Sequence, residues 1–249
     1  HVKEADESCF IGEAAPEKSY LSIDKMLDAA KEKDCDAIHP GYGFLSENAE
    51  FARRCSISGI TFVGPSAEAI ELMGEKHTAK SVMESVGVPV VPGYFGEEQS
   101  KQLLHKEAEK IGYPLMIKAV LGGGGKGMRM VQKKEDFKVS LASVENEARN
   151  AFGDSRVMLE RFVKNPRHIE FQILGDRHGN ILHLFERDCS IQRRHQKIVE
   201  ESPSLFIDNK IREQMADAAL IAAKTVKYTG AGTVEFILGG DGTFYFMEM

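Results

Sequence analysis

Pro114-Leu-Met-Ile-Lys118-Ala-Val-Leu-Gly122-Gly-Gly-Gly125-Lys126-Gly127-Met128 runs an apolar strand into four successive glycines and out toward a second strand. Such a run costs backbone entropy and would weaken a hairpin that had only to hold its shape. What it permits is close approach, because amides without β-carbons nearby can wrap phosphate oxygens. Lys118, inside the apolar string Met-Ile-Lys-Ala-Val, and Lys126, inside the loop, add positive charge. A flexible linker is the plain alternative, but linkers seldom join two strands or bury a lysine. Met128 follows Gly127, so GxxxxGK[ST] is not met, and no helix opens here as a dinucleotide fingerprint requires. The segment reads as a hairpin that covers a phosphate.

Outward from this hairpin the chain alternates helices and strands. Before it, the spacing predicts a helix over 22–33, short strands at 37–39 and 61–63, a helix opening at Ser46, and helices over 66–73 and 75–86. This is a parallel-type α/β block. Val88-Pro-Val-Val-Pro-Gly marks a linker into a second block: helix 100–111, the two strands around the glycines, helix 137–152 and strand 157–163. A third block starts near Asn165-Pro166. Its strand 168–174 alternates His168, Glu170 and Gln172 with Ile169, Phe171 and Ile173. A helix over 209–227 and a closing hairpin follow. The expected domains are therefore residues 1–87, 88–163 and 164–249.

The chain has 249 residues, 42% of them hydrophobic, ample for more than one core. Its net charge of −6 argues against a general nucleic-acid binder. Cys9, Cys35, Cys55 and Cys189 form no CxxC pair and suggest reduced thiols in an intracellular compartment. No apolar run approaches a membrane span. The opening His-Val-Lys-Glu carries no initiator Met or targeting segment, and the last residues end inside a strand, so a piece of a larger protein is expected.

Against this acidic background, Glu186-Arg187-Asp188-Cys189-Ser190-Ile191-Gln192-Arg193-Arg194-His195-Gln196-Lys197 concentrates four permanent cations and a histidine in twelve residues. Like charges repel, so a fold keeps such a cluster where an anion or carboxylates offset it. A carboxylate pair lies downstream. Asp241-Gly242 is a hairpin turn signal. A two-residue turn places Glu235 opposite Glu248; a four-residue loop, 239–242, places Glu235 opposite Phe246 with Glu248 diagonal. Either puts both acids on one face with Ile237, Phe244 and Phe246, leaving Val234, Phe236, Leu238, Tyr245 and Met247 on the other. Facing carboxylates need a proton or cation between them. Oxygen ligands beside a phosphate site favour Mg²⁺ or Mn²⁺ over a salt bridge to arginine. His39, His77, His105, His178 and His183 have no partner visible in the sequence, whereas His168 and His195 lie among polar residues. No GxSxG or zinc spacing is present.

Taken in order, several strings resemble the biotin carboxylase family of the ATP-grasp superfamily. They are His39-Pro-Gly-Tyr-Gly-Phe-Leu-Ser-Glu-Asn48, Met73-Gly-Glu-Lys76, Ile117-Lys118 with its glycines, Asn165-Pro-Arg-His168-Ile-Glu170, the segment 186–197, Gly230-Ala-Gly-Thr-Val-Glu235-Phe and Phe246-Met-Glu248-Met. Val88–Tyr94 and Met116-Ile-Lys-Ala-Val look most like the α subunits of methylcrotonoyl-CoA carboxylases, although propionyl-CoA, acetyl-CoA and pyruvate carboxylases share most motifs. The resemblance implies an ATP-grasp fold: a Rossmann-like N-terminal domain, a small glycine-loop lid and a C-terminal ATP-grasp domain, truncated here.

It further implies that Lys76 and Lys118 contact ATP phosphates while Gly124 and Gly125 close over them. Glu160, Arg161, Phe162 and Val163 would line adenine, and His168 would reach the ribose or phosphates. Gln192, His195 and Lys197 would line the nucleotide and bicarbonate region, Lys197 nearest bicarbonate, with Lys197, His195 and Lys118 acting in catalysis. Glu235 and Glu248 would hold two Mg²⁺ or Mn²⁺ ions. ATP would phosphorylate bicarbonate to carboxyphosphate, whose CO₂ the ureido nitrogen of biotin attacks. The implied partners are a biotin carrier domain and a carboxyltransferase subunit in an oligomer, without nucleic acid or membrane. The setting is the mitochondrial matrix in a eukaryote, the cytoplasm in a bacterium. In the family a further metal-ligand Asn, a bicarbonate-binding Arg and a Val-Glu-His base follow the position of Met249, so this chain by itself is also compatible with non-catalytic ATP binding. Ser202-Pro-Ser-Leu-Phe206 stands where relatives usually have Ala-Pro-Ala-Pro-Gly.

Overall fold

The computed structural model describes residues 2–121, 127–193 and 196–249. Two compact units emerge, one of residues 1–74 with 228–230 and one of 75–227 with 231–249. In the first, helix α1 (Ile23–Glu32) precedes strand β1 (Ala37–Ile38), and α2 (Ala49–Ile57) precedes β2 (Thr61–Phe62), which pairs with β1 in parallel. Helix α3 (Ala67–Gly74) follows. Leu27, Phe51, Cys55 and Ile60 form the core of this parallel α/β unit. The helix expected at Ser46 starts later. Ser46 is taken up in a turn, its amide donating to the Gly43 carbonyl, and Asn48 caps α2 by accepting from the Phe51 amide at 2.8 Å.

The second unit holds two sheets. Its elements are α4 (Lys76–Ser85), β3 (Gly93–Tyr94), α5 (Lys101–Ile111), β4 (Leu115–Ala119), β5 (Met128–Val131), α6 (Phe137–Phe152) and β6 (Val157–Arg161). Then come β7 (Arg167–Gly175), β8 (Ile181–Arg193), β9 (Gln196–Glu201), α7 (Asn209–Thr225), β10 (Gly230–Leu238) and β11 (Phe244–Glu248). The first sheet is antiparallel in the order β3-β6-β4-β5. Period-two alternation on β4 buries Leu115, Ile117 and Ala119, the first two in a core with Leu104, Phe137, Leu141 and Val144 of α5 and α6. Met116 and Lys118 consequently face the other way. Gly127 closes the β4–β5 hairpin at φ +67°, and a β-carbon there would lie 2.8 Å from that of Ala119. Only glycine fits.

The second sheet runs in the order β11-β10-β7-β8-β9, with the β10–β11, β7–β8 and β8–β9 pairs antiparallel. Ile169, Phe171 and Ile173 are fully buried, and α7 packs on β7 and β8 with a strip of small residues from Met215 to Ala223. The alternation anticipated for β7 is present. A short peptide links the sheets: the Phe246 amide donates to the Pro89 carbonyl, and the Arg161 amide to Pro92.

The closing hairpin corrects both expected turns. Leu238 pairs with Phe244 and the Gly239 amide donates to the Thr243 carbonyl, which leaves a three-residue loop, Gly240-Asp241-Gly242. Gly242 adopts φ +81°, the left-handed residue that such loops need. Phe236 then faces Phe246, not the face of Glu235, so Phe246 joins Phe236 and Leu238 in the core, and the half-buried Phe244 packs against the Phe236 ring. Met247 enters as an extra residue, a bulge, and the register resumes with Glu235 opposite Glu248. Among the described residues, no helix is long and apolar enough to cross a membrane.

Candidate functional site

The polar faces of the two sheets and the start of α4 enclose a cleft of about 460 Å³. It is lined by Lys76, Lys118, Glu160, Arg161, Phe162, Val163, His168, Gln192, Lys197, Glu235 and Glu248, residues from eight separate elements and the link after β6. Gly124, Gly125 and His195 lie outside the described residues. Sequence reasoning therefore named residues that the fold gathers in one place. It missed Lys80, which lines the cleft from α4, and gave no role to Glu170, which is 3% exposed beside it. The signal for Glu170 was its place on the His168 face of β7. Lys80 gives no signal beyond its step of four residues from Lys76 on one helix.

The charges of the cleft are arranged in pairs. Lys76 Nζ lies 3.1 Å from Glu248 Oε2. Lys118 Nζ lies 2.5 Å from Glu160 Oε2, and Lys80 holds the other oxygen of the same carboxylate. Burial and the charge of Lys76 push the Lys118 ammonium down to about 8, against the pull of Glu248. Lys197 donates to Glu170 and, at 2.7 Å, to Glu235. Burial lowers its affinity for a proton, but those hydrogen bonds prevail and lift it above the ordinary lysine range. Glu235 also faces His168 Nε2 at 2.7 Å, while the Gln192 amide meets His168 Nδ1 at 2.8 Å. Burial would raise the Glu235 carboxyl; its hydrogen bonds with His168 and Lys197 bring it down to about 2.

The basic segment divides accordingly. Arg187 pairs with the buried Glu170 at 2.5 Å and approaches the exposed Glu200 at 3.6 Å, and Lys197 meets Glu170 and Glu235, so carboxylates offset these two cations of the segment. Behind the cleft, Glu186 and Asp188 anchor the chain after β9. Asp188 accepts from Ser204 and Arg167, and Glu186 from the Ser204 amide and Arg212. Burial pushes the Cys189 thiol up to about 12, which leaves it inert as a nucleophile near neutral pH. His168, Glu170 and Glu235 bring ligand atoms within 4.8 Å of one another, a spacing a divalent cation can bridge. The oxygen donors of Glu235 and Glu248 suit a hard ion such as Mg²⁺ or Mn²⁺. The arrangement suits a polyanion accompanied by divalent ions: lysines paired with carboxylates, beside apolar lining from Val91, Met116, Met158 and Ile237.

Residues 1–70 match the biotin carboxylase N-terminal domain family, and residues 75–249 match the carbamoyl-phosphate synthase L chain ATP-binding domain family. The chain belongs to the biotin carboxylase family, with the ATP-grasp fold. Over its whole length it is 56% identical to the mitochondrial methylcrotonoyl-CoA carboxylase subunit alpha of Dictyostelium discoideum, of which it spans 36%. It also resembles the biotin carboxylase–beta-gamma-ATP complex of Campylobacter jejuni, with a TM-score of 0.95 at 48% identity over all of this chain and 56% of that one. The biotin carboxylase domain of Hydrogenobacter thermophilus 2-oxoglutarate carboxylase, in complex with MgADP, ADP and bicarbonate, gives a TM-score of 0.92 at 48% identity, covering all of this chain and 55% of that one.

Proposed function

We propose that this chain is the nucleotide-binding part of an ATP-dependent biotin carboxylase, the component of an acyl-CoA carboxylase that carboxylates biotin with bicarbonate. The observation that carries this reading is the single cleft shared by Lys76, Lys118, Lys197 and the opposed Glu235 and Glu248. Phosphoryl transfer between two anions needs fixed cations to offset repulsion and hold the reactants in line. Lys76 and Lys118 would hold the ATP phosphates, and Glu160 to Val163 would line adenine. His168 and Gln192 would steady the sugar–phosphate side, and Lys197 would face bicarbonate. Glu235 and Glu248 would hold Mg²⁺ or Mn²⁺, which supplies charge neutralisation of the phosphates when bound. Transfer of the γ-phosphoryl group to a bicarbonate oxygen gives ADP and carboxyphosphate; its breakdown gives CO₂ and phosphate, and the ureido nitrogen of biotin attacks that CO₂ as its proton passes to the phosphate.

The identity to a methylcrotonoyl-CoA carboxylase subunit alpha supports that enzyme, of mitochondrial location, as the particular carboxylase. A biotin carrier domain and a carboxyltransferase subunit are the partners this reading requires. The test is ATP cleavage by the protein extended to the length of its relatives. Cleavage should depend on bicarbonate, rise with free biotin, and fall sharply in Lys118→Met. Cleavage indifferent to biotin overturns the reading.

A further inference from the structure

Lys80 enters none of the chemistry above, yet its side chain is only 4% exposed within the cleft. It sits on the buried face of α4 with Ala79 and Met83, and the Phe95 ring covers it with its centroid 5.2 Å from Nζ. Its ammonium is in contact with Glu160 Oε1, while Lys118 holds Oε2 of the same carboxylate. One buried acid therefore serves two ammonium groups. The two are not equivalent. Lys118 is 24% exposed and opens into the cleft, whereas Lys80 is enclosed by helix, ring and carboxylate.

We propose that Lys80 is a positioning residue: it keeps the Glu160 carboxylate neutralised, so that Lys118 can leave that carboxylate for a phosphate. This inference rests on the nucleotide-binding reading of the cleft. An isolated buried carboxylate is costly, so a Glu160 with Lys118 as its sole partner would hold that lysine back. With Lys80 in place, Lys118 moves between carboxylate and phosphate without stranding either charge. Lys80 thus acts through Lys118 and touches no reacting atom.

The experiment is calorimetric titration of the chain with ATP and Mg²⁺. Lys80→Met is expected to bind at least about tenfold more weakly than wild type, as for other broken buried charge pairs. Removing the charge it balances should undo the damage: Lys80→Met/Glu160→Gln should bind within about twofold of Glu160→Gln alone. A merely structural lysine would not be rescued in this way. Should Lys80→Met fail to fold, Lys80→Gln keeps a donor to Glu160 without its charge and carries the same expectation. Wild-type affinity in the single variant, or no recovery in the double one, overturns the inference while the nucleotide site stands. Failure of the wild-type chain to bind ATP overturns both.

Discussion

Glu235 and Glu248 face one another across the β10–β11 ladder because Met247 is inserted between Glu248 and the regular pairs of the hairpin. Without that extra residue the ladder that pairs Phe236 with Phe246 would set Glu235 opposite Met247. The bulge turns Glu248 back into the cleft, where Lys76 meets it. Glu235→Gln and Glu248→Gln should each weaken Mg²⁺-dependent ATP binding by about tenfold or more. Titrations with Mg²⁺ and with a chelator present separate this from a general loss; affinity equal to wild type under both conditions would remove these acids from the metal site.

The loop that precedes the bulge tests its own geometry. Gly242 has φ +81°, and an added β-carbon would find only Ile211 at 3.5 Å, so the penalty is conformational. Gly242→Ala should lower stability by about 1 kcal/mol in urea unfolding. No loss at all would mean that the loop readily adopts another turn.

Glu170 gathers Arg187 and Lys197 while almost wholly out of solvent. Glu170→Gln should cost about 3 kcal/mol, the range for stripping one partner from a buried ionic cluster. Thermal unfolding measures it. A change within experimental error would show that water reaches Arg187 and Lys197 well enough to replace the acid.

Burial and the neighbouring charge of Lys76 push the Lys118 ammonium down to about 8 in the fold, against an ordinary 10.5. Between those values the unfolded chain binds more protons than the native one, so this group's contribution to stability grows as pH rises. Phosphate binding has the opposite sense. The cation is present below about 8 and lost above it, so ATP affinity should fall as pH climbs through that value. Lys118→Met should abolish this inflection; a variant that keeps it would assign the titration to another group.

Much of this arrangement was legible in the sequence, for physical reasons. Period two on β7 separated His168 and Glu170 from the apolar face of the strand, and the glycine run with Lys118 located the β4–β5 hairpin. The start of α2 was misplaced because serine and asparagine cap equally well, and only the competing turn at Gly43 decides between Ser46 and Asn48. The facing of Phe246 was misplaced because Asp-Gly signals several loop lengths, and a bulge at Met247 leaves no mark in a string of apolar residues. Lys80 was invisible for another reason. A lysine one helical turn beyond Lys76 reads as solvated, and its burial depends on Glu160, eighty residues away.

The pairing of side chains within the cleft has a consequence for how ligands enter. Lys76 clasps Glu248, Lys197 and His168 clasp Glu235, and Lys118 shares Glu160. A magnesium ion arriving by itself must evict ammonium groups, and a nucleotide arriving by itself must tear them from their acids. Arriving together, the two swap companions with the protein and leave no charge bare. Each should sharpen the grip on the other, by the same factor in either direction.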